Sequence, residues 1–273
     1  MKSTSIILSL AMICATYFAS AQDVHLHVNP KWEECSFQID PSLTQSEWHR
    51  FTKEAAMVVY FRPLKDAKPM GAGNFEISLL QWSTKIDETA GAWNNTFVHP
   101  DSTHWLIGGE ELPFPGLTVR AGVTNKLDVG IYWSERPGAN YGVWGAQAQY
   151  NFMNDTSRSW SASSRVSVSS LYGPDDLNLN VYGTDFLASK KIKLYSSWLS
   201  ISPYAGLSAY LSHGHEKTEA VNLKDENLFG AQGFVGTVAQ ISVVRLGVEY
   251  NLAKVNSFSY KLGIAINLNK KSR

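Results

Sequence analysis

Phe258-Ser-Tyr260-Lys-Leu262-Gly-Ile264-Ala-Ile266-Asn-Leu268 places a large apolar side chain at every even position. Ser257, Ser259, Lys261, Gly263, Ala265 and Asn267, small or polar, take the odd ones. Successive side chains of a β-strand point to opposite faces of its sheet, so a period of two writes one apolar and one polar face. The preceding stretch repeats it, with Val244, Leu246, Val248, Tyr250 and Leu252 against Arg245, Gly247, Glu249 and Asn251. A helix would show a period of 3.6 instead.

The same alternation extends upstream. Trp144, Ala146, Ala148, Tyr150 and Phe152 oppose Gln147, Gln149 and Asn151, and Trp160, Ala162, Val166 and Val168 oppose a run of serines and Arg165. Leu117, Val119, Ala121 and Val123 turn through Asn125-Lys126 into Leu127, Val129, Ile131 and Trp133, the signature of a hairpin. Turn residues separate the runs at 136–140, 154–157, 173–176 and 253–256. The pattern predicts ten antiparallel strands over 74–86, 117–124, 127–134, 141–153, 159–172, 177–190, 197–212, 229–241, 242–252 and 257–268. The two long connections, 87–116 and 213–228, follow the first and seventh strands. Both numbers are odd, so in an up-and-down meander both emerge at the same end.

Composition narrows the class. The chain has 273 residues, with 24 Lys+Arg against 24 Asp+Glu, which removes the basic footprint of a nucleic-acid binder. At 12% aromatic and 18% charged it is the opposite of a disordered chain. Lys2, the apolar run Ile6–Ala15 and the small-x-small Ala19-Ser20-Ala21 read as a cleaved signal peptide over 1–21. Its removal leaves Cys35 as the single thiol, too few for a disulfide scaffold. Beyond it the longest strictly apolar run is the seven residues Ala55–Phe61, far short of the about 20 a membrane helix needs.

Alternation leaves two readings, a soluble barrel or sandwich enclosing an apolar ligand, or a membrane barrel with an apolar exterior. Most predicted strands reach the about 9–11 residues of a tilted transmembrane strand. Their polar face is mostly Ser, Gly, Asn and Gln, whereas a solvated face carries many Lys and Glu. Trp133, Trp144, Tyr150, Phe152, Trp160, Tyr250, Phe258 and Tyr260 lie near strand ends, where interfacial girdles belong. By parity Glu76, Arg120, Asp128, Arg165, Arg245, Glu249 and Lys261 share the polar face. A basic residue at the midplane of a lipid face costs about 2–4 kcal/mol, so in a membrane barrel these seven point inward.

Signal peptide, period-two strands, paired long and short connections and girdle aromatics together resemble the bacterial outer-membrane β-barrel proteins, over about 74–268. Thr118-Val119-Arg120-Ala121-Gly122 followed by Leu127-Asp128-Val129-Gly130 is similar to their strand–turn–strand units. Such barrels often end on an aromatic, whereas here Leu268 is followed by a tail, 269–273. The resemblance implies an all-β, antiparallel up-and-down transmembrane barrel in the outer membrane. Its partners would be outer-membrane lipids, the barrel-assembly machinery and small solutes, with no nucleic acid and no cofactor.

The N-terminal segment 22–73 is open between a periplasmic piece, a plug and one or two further strands. Ala55–Phe61 would make an eleventh strand and Val24, Leu26 and Val28 a twelfth, or 41–52, with Trp48 and Phe51, a short helix plugging or capping the barrel. No nucleophile–base constellation supports an enzyme, and no phosphate-cradling glycine loop is present. His213 and His215 at the start of a long connection are weak metal-ligand candidates, as are His25 and His27, and His99, Asp101 and His104 lie in the other connection. The seven inward charges therefore carry the functional reading. They either line a narrow passive channel for small solutes, where reversal of Arg165 would shift ion selectivity, or pair to fill a closed structural or surface-interaction barrel.

Overall fold

The computed structural model describes residues 36–87, 89–98, 111–135, 139–194, 198–218 and 221–267. The signal peptide 1–21, Val24 to Val28 with His25 and His27, Cys35, the His99–His104 stretch, and Leu268 with the tail 269–273 lie outside these residues. The elements in chain order are β1 (Ser36–Phe37), α1 (Gln45–Val59), β2 (Asn74–Lys85), α2 (Gly91–Asn94), β3 (Phe97–Val98), β4 (Glu111–Gly122), β5 (Leu127–Glu135), β6 (Gly142–Asp155), β7 (Trp160–Tyr172), β8 (Leu177–Lys190), β9 (Ile192–Lys193), β10 (Leu199–Glu216), β11 (Glu226–Ile241), β12 (Val244–Leu252) and β13 (Ser257–Asn267).

Ten strands close on themselves in the order β2-β4-β5-β6-β7-β8-β10-β11-β12-β13, every neighbour antiparallel, with β13 returning to β2. Closure removes the unpaired edges that an open sheet would expose. The short β9 adds one two-residue pairing to β10. All-β fold, meander and strand number thus agree with the sequence reading, and a twelve-strand barrel is excluded by the β13–β2 closure. Boundaries shift most at the two longest strands. β10 and β11 have 18 and 16 residues and pair from Leu199↔Ile241 to Gly214↔Glu226, so the second long connection is much shorter than 213–228.

The outward stripe is apolar. Leu207 and Phe229 are 69% and 68% exposed, and Ile77, Leu79, Ile131, Val166, Phe186, Val248 and Ile264 join them in a band around the wall. Outward charges of the described strands keep to the ends, such as Lys85, Glu135 and Lys190. The ammonium of Lys190 sits 5.6 Å from the Trp160 ring centroid, a pairing suited to the membrane interface. Trp133 and Trp144, and Tyr250 and Phe258, are cross-strand neighbours toward the long-connection end, and Tyr150, Phe152, Trp160 and Trp198 lie toward the short-turn end.

The described part of the N-terminal segment adds no strand to the barrel wall: it holds the short β1, α1 and an extended run. Thr44-x-x-Glu47 is a capping box: the Thr44 hydroxyl faces the Glu47 N–H, and the Glu47 carboxylate accepts from the Thr44 N–H at 2.8 Å. Trp48, Phe51, Ala55, Val58 and Val59 then recur at helical spacing. The helix continues through Ala55–Val59, residues that otherwise read as an eleventh strand, because the cap and Ala55-Ala56-Met57 favour α and the buried stripe is satisfied only at that period. It stops at Tyr60, shortly before Pro63 excludes the α region at Arg62. From there an extended segment runs down the lumen to the turn at Gly71–Gly73 that opens β2.

Thr44→Ala should loosen the first helical turn by about 1 kcal/mol, seen as faster amide exchange over 45–50 with the barrel amides unchanged. The backbone bond from Thr44 holds the Glu47 carboxyl below its usual range. Its share of the cap is therefore present above the ordinary carboxylate pKa and is lost as pH falls through the lowered one.

Candidate functional site

The polar lumen is occupied by the chain's own residues, in three layers from the long-connection end downward. The top layer is aromatic. Trp48 stacks on Phe51 at 5.6 Å, Phe51 meets Trp93 of α2 edge-on at 5.1 Å, and Phe37 contacts Phe97 and Tyr141 at 4.8 and 5.0 Å. The β1–β3 pair and α2 cover this cluster, and Glu54 accepts the Trp93 indole N–H at 2.8 Å. Below them Leu171, Leu177, Leu179 and Val181 are inward and buried against the helix.

The middle layer is a clamp on residues 60–64. The Arg165 guanidinium donates to Asp185 through Nε at 2.5 Å, to the Gln147 side chain at 2.7 Å and to the Phe61 carbonyl at 2.6 Å. The Tyr60 hydroxyl donates to Asp185 at 2.6 Å, and the Ser208 hydroxyl donates to the same carboxylate. Arg62 of the plug donates to the Met57 and Tyr60 carbonyls at 2.6 and 2.9 Å, and lies 5.1 Å from the Trp82 ring centroid. Glu249 accepts the Leu64 amide at 3.0 Å and the Tyr204 hydroxyl at 2.8 Å.

The bottom layer holds residues 63–70. Arg120 donates to the Pro63 carbonyl, and Lys65 pairs with Asp128, which also accepts the Met70 amide at 3.0 Å. Ser189 accepts the Ala67 amide at 3.0 Å and Asn151 donates to the Ala67 carbonyl at 2.9 Å. An irregular buried segment has no ladder for its backbone groups, so wall side chains must supply the partners. That requirement accounts for the polar wall. Its small residues make the space: a Cβ on Gly183 would lie 2.5 Å from the Tyr60 ring, and one on Gly145 3.0 Å from the Phe61 ring.

All seven charges singled out by parity stand on the inner wall. Arg120, Asp128, Arg165 and Glu249 bind plug residues directly, whereas Glu76, Arg245 and Lys261 bind one another, at 2.8 Å for Arg245–Glu76 and 2.5 Å for Lys261–Glu76. His213 and His215 lie within β10 rather than in a loop, bonded to Asn227 on β11 at 2.9 Å and to Asp225 just ahead of β11 at 2.7 Å. Among the described residues no three His, Cys, Asp or Glu side chains gather as a metal site. Sequence parity missed Asp185, because Leu177, Leu179 and Val181 on the same face are apolar where they meet α1 and hide the polar stripe of β8. It also missed Tyr60, Arg62 and Lys65, which no wall pattern can reveal.

No protein family matches the chain in sequence, and no curated protein does. Solved structures resemble it at low identity. An outer membrane channel from Pseudomonas putida F1 is 10% identical with a TM-score of 0.44, covering 76% of this chain and 100% of that one. Ail, the attachment invasion locus protein of Yersinia pestis, is 11% identical with a TM-score of 0.31, covering 71% and 99%. LpxR from Salmonella typhimurium is 12% identical with a TM-score of 0.36, covering 70% and 99%. The closed ten-strand barrel of this chain stands on its own strand pairing.

Proposed function

We propose that the chain works as a closed outer-membrane barrel, exported through a cleaved signal peptide, in which residues 36–73 are a permanent plug and the long-connection end is a surface for structural or adhesive contact. The reading assigns it neither passive conduction nor catalysis. The observation that carries it is the fill of the lumen: Trp48, Phe51, Ala56–Val58, Tyr60, Phe61, Arg62 and Leu64 are all at 0% exposure inside a ten-stranded wall. Ten strands lie near the size at which side chains alone fill the interior, so one helix and one extended segment occlude it. The apolar band argues against a secreted soluble barrel, because it faces outward while the described interior is filled by the chain's own residues.

The refolded full chain should be electrically silent in planar bilayers, with heat-modifiable migration on a gel certifying the folded barrel. Steady single-channel steps from that folded material would overturn the reading and restore a narrow channel. Recovery of the chain in the aqueous phase without detergent would overturn the membrane assignment itself.

A further inference from the structure

The interior charges are not evenly matched. Arg165 has Asp185, Lys65 has Asp128, and Arg62 lies beside Glu249. The exception is the short-turn corner, where Arg120, Arg245 and Lys261 all face the carboxylate of Glu76, and Asp128, already paired with Lys65, adds the other negative charge near Arg120. Two guanidinium atoms of Arg120, Nε and Nη1, and Nε of Arg245 are buried without a hydrogen-bond partner. Buried charged donors left in this state favour an anionic acceptor strongly.

Arg245 also lines a cavity of about 450 Å³ at the short-turn rim. Its lining has two characters. Met70, Asn74 and Arg245 belong to the inner side, while Val243, Ile264 and Ile266, each more than two-fifths exposed, belong to the apolar outer band. Trp198, whose carbonyl accepts the Ser242 amide, places this rim at the level of the interfacial aromatics. Lys191, which feels the like charges of Lys68, Lys193 and Arg245 and the opposing charge of Asp66, adds basic character at the same end.

We propose that this rim cavity binds an anionic membrane phospholipid, one whose phosphate has no compensating headgroup cation, with the phosphate on Arg245 and an acyl chain along Val243, Ile264 and Ile266. A cavity apolar toward the bilayer and cationic toward the lumen fits an anionic amphiphile, and basic pockets of this kind recognise anionic headgroups. A free oxyanion shares the phosphate chemistry but has no use for the apolar wall. The proposal rests on residence in a bilayer and is independent of whether the lumen conducts.

The test uses the full chain in nanodiscs of equal phosphatidylcholine and phosphatidylglycerol, with retained lipid counted by native mass spectrometry. Wild type should keep phosphatidylglycerol over phosphatidylcholine by about tenfold, the equivalent of one charge-assisted contact. R245Q should fall to parity, and K254Q at the opposite end should keep the preference. Equal retention of both lipids by wild type, or an undiminished preference in R245Q, overturns the proposal. Added inorganic phosphate that binds to the barrel in phosphatidylcholine alone, with no lipid preference in the mixture, assigns the site to a free oxyanion and also overturns it. Heat-modifiable migration of each sample reports insertion separately, so a failure of the membrane reading is not mistaken for a failure of this one.

Discussion

Arg165→Met should lower the unfolding free energy of the barrel by about 3–5 kcal/mol. The side chain is fully buried, and its guanidinium joins wall to plug through Asp185, Gln147 and the Phe61 carbonyl. Methionine retains much of the packing but leaves the Asp185 carboxylate buried, with only the Tyr60 and Ser208 hydroxyls to stabilise it. An uncompensated interior charge is what makes breaking such a pair more costly than never having made it. Adding Asp185→Leu to Arg165→Met should therefore recover a large part of the loss, because the orphan leaves with its partner. Urea titration of the folded band in vesicles, checked by tryptophan fluorescence, measures both variants. A single-variant loss below about 1 kcal/mol, the scale of an ordinary solvated pair, would show that Arg165 does not clamp the plug. The arrangement also changes the sequence-based expectation for this residue: reversing its charge should destabilise the barrel before it tunes any current.

Gly183→Leu should unseat the plug and turn a silent barrel into a conducting one. The Cβ position at Gly183 is 2.5 Å from Cε2 and 2.7 Å from the hydroxyl of Tyr60, with the Ser167 hydroxyl at 2.9 Å. Tyr60 cannot step aside without giving up its bond to Asp185, and the wall strand is held by its neighbours β7 and β10. Overpacking a tight site costs about 1–3 kcal/mol, and displacing residues 60–64 from the wall relieves it. Steady conductance together with new protease cleavage between 60 and 70 is the expected result, while Gly183→Ala has a weaker form of both. Tyr60→Ala in the same chain removes the ring that clashes, so the double variant should regain silence, a coupling that distant effects would not produce. A silent, protease-resistant Gly183→Leu barrel would mean that the plug does not rest on this strand.

The two variants bear on residues whose legibility in the sequence was unequal. Arg165 stands among serines on a strand of clean alternation, so its face was readable from its neighbours. Asp185 was obscured, because the upper half of β8 packs against α1 and is apolar on the side where the rest of the wall is polar. Two-sided burial erases the alternation on which a strand's faces are read. The helix did leave a signal, the Thr44-x-x-Glu47 box ahead of Trp48 and Phe51, but the short run Ala55–Phe61 is apolar enough to suit either a strand or a buried helix.

The amino-acid sequence by itself determined that the chain from 74 onward is a meander of strands with one apolar and one polar face, ten in number unless the N-terminal segment adds to them, and that both long connections leave from one end. These properties are local: alternation is set by adjacent residues, and each turn by the few residues that make it. Only the tertiary structure decided that the polar face encloses part of the same chain. Arg165 meets the Phe61 carbonyl across 104 positions, and Lys261 meets Glu76 across 185. No periodicity encodes such pairings. They exist because closure brings all ten inner stripes around one narrow space, where an irregular backbone finds its hydrogen-bond partners.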